Sequence, residues 1–133
     1  MNSLKLASLT LATAFGLTAI ASAEDAKLPP TSTKTGVTYT TDIKPIFDAN
    51  CLKCHDNTKK PRGGIAFNTL ESVLKGGKDG KIIVAGDSTK GDLINSVAHI
   101  GDPDSFMPKG KGAKMLTPEQ IGLIRAWIDQ GAK

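Results

Sequence analysis

Apolar residues recur at helical spacing in several separated stretches of this chain, while strand-like alternation is confined to Val37 and Tyr39 between threonines. After Thr41 or Asp42, either a good helix cap, Ile43, Ile46 and Phe47 fall on one face. Pro45 lies in the first turn, where a missing N–H costs little, and the helix runs directly into Cys51. Asp56 to Gly64 reads as loop; Thr69 to Lys75 then forms a short helix with Leu70, Val73 and Leu74 inward, stopped by Gly76-Gly77. Ile82-Ile83-Val84 is a short extended run, and Lys90 to His99 is a helix with Leu93, Ile94 and Val97 on one side. The pattern breaks up in the Gly- and Pro-containing loop 101–114. It returns most clearly after Thr117-Pro118-Glu119-Gln120, a capping box with proline at the first helical position. There Ile121, Ile124 and Ile128 line one stripe, Leu123 and Trp127 flank it, and Gly131 terminates it. These elements predict an all-α fold of three to four helices.

The ends of the chain are organised differently. Residues 1–23 carry one lysine, an apolar stretch from Leu6 to Ile20, and Ala21-Ser22-Ala23, the form of a cleavable signal peptide. The stretch is short against the about 20 apolar residues of a spanning helix and contains several hydroxyl side chains, so an uncleaved anchor fits it less well. Residues 24–36 are polar, contain Pro29-Pro30 and show no periodicity, which predicts a flexible leader. The folded domain is expected over 37–133. Its aromatic residues are only Tyr39, Phe47, Phe67, Phe106 and Trp127, so its own core is thin.

Composition then singles out one motif. The chain has two cysteines and two histidines, and three of these four residues lie in Cys51-Leu52-Lys53-Cys54-His55. C-x-x-C-H is the attachment signature of a c-type haem: the thiols form thioethers with the porphyrin's vinyl groups and the imidazole faces the iron. A redox dithiol needs a βαβ context that is missing here. A zinc site needs a fourth ligand, for which only His99 remains, and a plain disulfide leaves His55 without a role. One covalent haem c is therefore the expected cofactor, and a buried porphyrin supplies the apolar centre that the aromatics do not.

Over about residues 42–132 the chain resembles the small single-haem cytochromes c of the planctomycete type. The segments that carry the resemblance include Asp42-Ile43-Lys44-Pro45-Ile46, the C-x-x-C-H, Gly63-Gly64-Ile65, Ile83-Val84-Ala85-Gly86-Asp87, Met107-Pro108-Lys109-Gly110-Lys111, Leu116-Thr117-Pro118-Glu119 and Trp127-Ile128-Asp129-Gln130-Gly131-Ala132. Ala85 and Lys109 stand where that family often has prolines. The resemblance implies the cytochrome c fold, Cys51 and Cys54 as attachment points, His55 as proximal ligand and Met107 as distal ligand. On axial-ligand chemistry alone the donors open to the distal position are Met107, Met115, His99 or a small molecule, and a thioether opposite His suits electron transfer.

With both axial positions filled by protein, the expected activity is one-electron carriage at an exposed haem edge by a periplasmic protein that is not itself an enzyme. No paired carboxylates, nucleophile–base set or phosphate-cradling loop suggests other chemistry. Two alternatives share the motif: a haem subunit of a periplasmic dehydrogenase, and an open-site haem protein that reduces peroxide or senses a gas. The net charge of +4 is mild. Clusters at Lys59-Lys60-Arg62 and Lys109-Lys111-Lys114, expected to flank the haem edge, suit a protein redox donor and acceptor with an acidic docking face. Nucleic-acid binding and a membrane span after signal cleavage are not expected.

Overall fold

Thr117 and Gln120 close the start of the longest helix reciprocally. The Thr117 hydroxyl accepts from the Gln120 N–H at 3.2 Å, and the Gln120 side-chain carbonyl accepts from the Thr117 N–H at 2.9 Å. The structure, a computed structural model, describes residues 27–133; segment 1–23, read above as a signal peptide, and the start of the expected leader lie outside the described residues. We number the helices α1 (Lys44–Asn50), α2 (Leu70–Lys75), α3 (Asp92–Ala98) and α4 (Pro118–Asp129). The described residues contain no strand, and none of their helices is long and apolar enough to cross a membrane. Over the described residues the protein is all-α, as its periodicity predicts.

The stripe on α4 is the floor of the core. Ile121, Ile124, Trp127 and Ile128 are buried, and α3 packs across them with Leu93, Ile94 and Val97. Trp127 is fully enclosed and donates its indole N–H to the Lys133 carbonyl at 2.9 Å, so its role is packing plus one satisfied polar handle. Tyr39 lies beside it, with ring centroids 5.8 Å apart. Burial pushes the Tyr39 phenol up to about 12, with Asp48 and Cys51 adding to the shift, so it stays a neutral donor to the Phe67 carbonyl at 2.7 Å.

The first helical segment starts earlier than the sequence suggests. A wide π-type turn, Tyr39–Ile43, precedes α1, and the Lys44 N–H reaches back five residues to the Tyr39 carbonyl. Pro45 explains the widening: it has no N–H, and its ring crowds the carbonyl four residues back, so an ordinary turn is disfavoured there. Capping shifts to Thr38, whose hydroxyl accepts from the Thr41 N–H, while the Asp42 carboxylate accepts from the Thr38 N–H at 2.9 Å. α2 is capped by Thr69 and Ser72 and buries Val73. Ile82 and Ile83 are buried and Val84 is 42% exposed; the run pairs with no strand but accepts the Leu93 N–H on the Ile82 carbonyl at 3.0 Å.

The stretch read as a flexible leader, 24–36, is described from Lys27 onward, and there it lies along α4. The Ser32 N–H donates to the Gly122 carbonyl at 3.0 Å, the Gln130 amide donates to the Lys34 carbonyl at 2.8 Å, and Arg125 donates to the Pro29 carbonyl. These bonds use backbone carbonyls and N–H groups, which composition does not reveal. Ser88 ties α4 to the turn after Val84. It is 1% exposed, its N–H meets the Asp129 carboxylate at 2.6 Å, and its hydroxyl accepts from the Arg125 Nε at 3.2 Å.

Gly122 makes the arm's approach possible, because a Cβ there would lie 2.6 Å from the Pro30 carbonyl oxygen. Gly122→Ala should therefore lower the stability of the whole chain by about 1–3 kcal/mol through overpacking. In a chain trimmed before Val37 the same change should raise stability by up to about 1 kcal/mol, because only the helix preference of alanine remains. Thermal unfolding of the two pairs reads both signs; a stabilising effect in the intact chain would mean that the arm does not dock.

Candidate functional site

α1 delivers the motif at its C-terminus. The Cys51 N–H closes the helix on the Phe47 carbonyl at 2.8 Å, and the Cys54 and His55 N–H groups both turn back to the Cys51 carbonyl, at 3.2 and 3.0 Å. This tight reversal brings the two thiols and the imidazole to one place. Both cysteines are free and half-buried. Burial pushes the Cys51 thiol up to about 12, so it is protonated at neutral pH. The loop that leaves the motif is held by Asp56, whose carboxyl lies below its usual range because the Thr58 N–H and the Asn68 amide donate to it.

The orientation of His55 is fixed from behind. Its Nδ1 lies 3.1 Å from the Ile65 carbonyl, an acceptor only, so Nδ1 carries the proton and Nε2 presents a lone pair. Phe67 meets the imidazole edge-on, with centroids 5.5 Å apart and planes at 86°, and its N–H donates to the His55 carbonyl at 2.9 Å. The same ring packs edge-on against Phe47 at 4.6 Å. Phe67 therefore joins the core to the motif.

Beside the motif lies a cleft of about 410 Å³, within the usual size range of cofactor sites. Cys51, Cys54, His55 and Met107 all line it, and Ile65, Phe67, Ile82, Leu93 and Val97 supply apolar wall. The donors fit a haem c: two thiols for attachment, an imidazole with a free nitrogen, and a thioether from a distant loop in one largely apolar space. Met107 is held there by its backbone, the N–H of which donates to the Ser96 carbonyl at 3.0 Å. The other distal candidates lie elsewhere. Met115 is 60% exposed and does not line the cleft. His99 does not line it either, and its Nε2 is engaged with the Met107 carbonyl at 2.9 Å.

The charged rim differs in part from the sequence reading. Arg62, Lys109, Lys111 and Lys114 are exposed at the cleft, as expected, and Lys53 and Lys81 join them. Lys59 and Lys60 do not line it; Lys59 lies 4.0 Å from Asp56 instead. The acidic residues of the lining are Asp79 and Asp92. Sequence reasoning gave no part to the Ile65 carbonyl, the Ser96 carbonyl or Phe67. The first two act through backbone atoms, which leave no residue signature, although Gly63-Gly64-Ile65 did mark the segment.

Residues 51–110 match the family model described as planctomycete cytochrome C. No curated protein matches the chain significantly. Among solved structures the chain is similar to the Kuenenia stuttgartiensis hydrazine synthase, at 24% identity and a TM-score of 0.49. The match covers 72% of this chain but only 16% of that one, and the likeness is too loose to bear on fold or activity.

Phe67→Ala removes the ring shared by core and motif and should cost about 3–5 kcal/mol, with Phe67→Leu costing less than half as much. Denaturant unfolding of the haem-loaded proteins measures both. Equal and small losses would show that the ring is not the joint.

Proposed function

We propose that the chain, whose residues 51–110 match the planctomycete cytochrome C family model, is an exported carrier of single electrons that holds one haem c with His55 and Met107 as the iron's protein donors. The observation that supports this most is the convergence of Cys51, Cys54, His55 and Met107 on one cleft from which Met115 and His99 are excluded. When bound, the haem supplies a one-electron iron couple, and a thioether opposite an imidazole favours its reduced state.

The chain's own residues then have separable tasks. Cys51 and Cys54 fix the cofactor covalently, so it stays bound whatever its oxidation state. The Ile65 carbonyl keeps the proton of His55 on Nδ1 and raises the basicity of Nε2. Met107 would be the second protein donor to the iron, which would leave no direct route for a substrate, while Arg62 at the rim suits a propionate carboxylate. The apolar walls exclude water from the centre. Exchange of an electron is then confined to the open edge of the cleft, where exposed lysines favour an acidic partner.

Haem should stay with the chain in acidified acetone, and replacing both cysteines should make it extractable. The oxidised protein should show the weak far-red absorption of a sulfur-to-iron bond. Met107→Ala should abolish that band, lower the midpoint potential by on the order of 100 mV and admit carbon monoxide. Met115→Ala should change none of these. A wild type without the band that binds carbon monoxide readily would give way to the open-site reading. A partner that co-purifies stoichiometrically would make the protein a subunit of a larger enzyme instead.

Electron transfer to an acidic acceptor should slow as salt rises to physiological strength, where screening acts over about 8 Å. Lys111→Glu should slow it at low salt while leaving the potential unchanged. Rates flat in salt would remove the docking role of the rim.

A further inference from the structure

Both backbone polar groups of Met107 are held by the C-terminal end of α3. Its N–H donates to the Ser96 carbonyl at 3.0 Å, and its carbonyl accepts from His99 Nε2 at 2.9 Å. His99 reaches that carbonyl through an uncommon backbone. It caps α3 in the left-handed region, at φ 55° and ψ 46°, which few non-glycine residues adopt. There its N–H still closes on Asn95 and Ser96, so the helix end is satisfied while the ring is carried over to the 101–114 loop. The ring lies flat on Phe106, with centroids 4.7 Å apart and planes at 10°.

From this geometry we infer that His99 is a positioning residue: it clamps the Met107 backbone so that the sulfur is presented to the cleft before any iron bond forms. The inference rests on the reading of Met107 as the iron ligand. The loop needs such a clamp. Beyond Pro108 the chain continues Lys109-Gly110-Lys111-Gly112-Ala113, all exposed, and contributes little rigidity from that side. A thioether is a neutral, weak ligand on a long side chain, so the entropy of ordering it competes directly with the bond it makes. Fixing the backbone at both N–H and C=O removes much of that cost in advance. Phe106 completes the clamp by holding the imidazole plane, and that leaves Nε2 no freedom to enter the cleft as a ligand itself.

The test compares His99→Phe, which keeps the stacked ring and loses the donor, with His99→Gln, which restores a donor of similar reach. Binding of free imidazole to the oxidised protein reports how readily the sulfur is displaced, and the far-red band reports the bond itself. His99→Phe should weaken the band and tighten imidazole binding about fivefold, the factor that one ordinary hydrogen bond carries. His99→Gln should recover most of both. A purely structural role would lower the unfolding temperature of His99→Phe with band and imidazole affinity unchanged, and that result overturns the inference. Met107→Ala separates the two layers. If it leaves the far-red band intact, the ligand assignment fails and takes the clamp with it. If it abolishes the band while His99→Phe behaves as wild type, the ligand stands and only the clamp fails.

Discussion

The packing of Phe67 between Phe47 and His55 is the interaction on which the arrangement depends. Phe47 belongs to a fully buried cluster with Tyr39 and Trp127, and Tyr39 in turn donates its phenol proton to the Phe67 carbonyl. Through one side chain and its two backbone polar groups, the segment after the motif is bonded to the first helical turn, to α1 and to His55. The imidazole is thereby referenced to the centre of the core rather than to a surface loop. A side chain held within narrow limits needs support of that kind, because it has rotatable bonds of its own.

The two sides of the cleft are built on different principles. The motif side is short-range: helix end, tight reversal, imidazole and its carbonyl partner all lie within residues 44–67, and local hydrogen bonds define them. The methionine side is assembled from afar. Met107 is placed by α3, α3 is placed by α4, and α4 is tied to the 86–89 turn through Ser88 and to the N-terminal arm through Gly122, Arg125 and Gln130. Stability on this side is therefore distributed over several bonds of modest strength. A group that bridges both sides contributes to folding as well as to function, since whatever binds only the native arrangement stabilises it.

Charge is arranged with respect to the same opening. The chain's mild positive excess gathers at the rim, where Lys53, Arg62, Lys81, Lys109, Lys111 and Lys114 face only Asp79 and Asp92. Some lysines elsewhere are paired with nearby carboxylates, as in Lys44 with Asp48 at 2.6 Å and Lys90 with Asp87 at 3.0 Å. Asp87 is pulled down to about 2 by the Thr89 hydroxyl first and Lys90 second. Its contribution to the turn is present above the ordinary carboxylate range and is lost only as pH falls through that low value.

The sequence by itself determined the helices with strong periodicity or an explicit cap, the one begun by Thr117 above all, because capping and amphipathic spacing are local codes. It also singled out Cys51, Cys54 and His55, since the C-x-x-C-H pattern lies within five consecutive residues. It nominated Met107 but left Met115 and His99 open, because a loop without periodicity says nothing about where its side chains point. Only the tertiary structure separated these three, bringing Met107 to the cleft, leaving Met115 exposed and turning His99 onto the Met107 carbonyl. The docking of residues 27–36 on α4 and the proton of His55 on Nδ1 were likewise decided in three dimensions. Each depends on a backbone carbonyl meeting a group distant in sequence, and every residue has a carbonyl, so no pattern of side chains announces which one will be used.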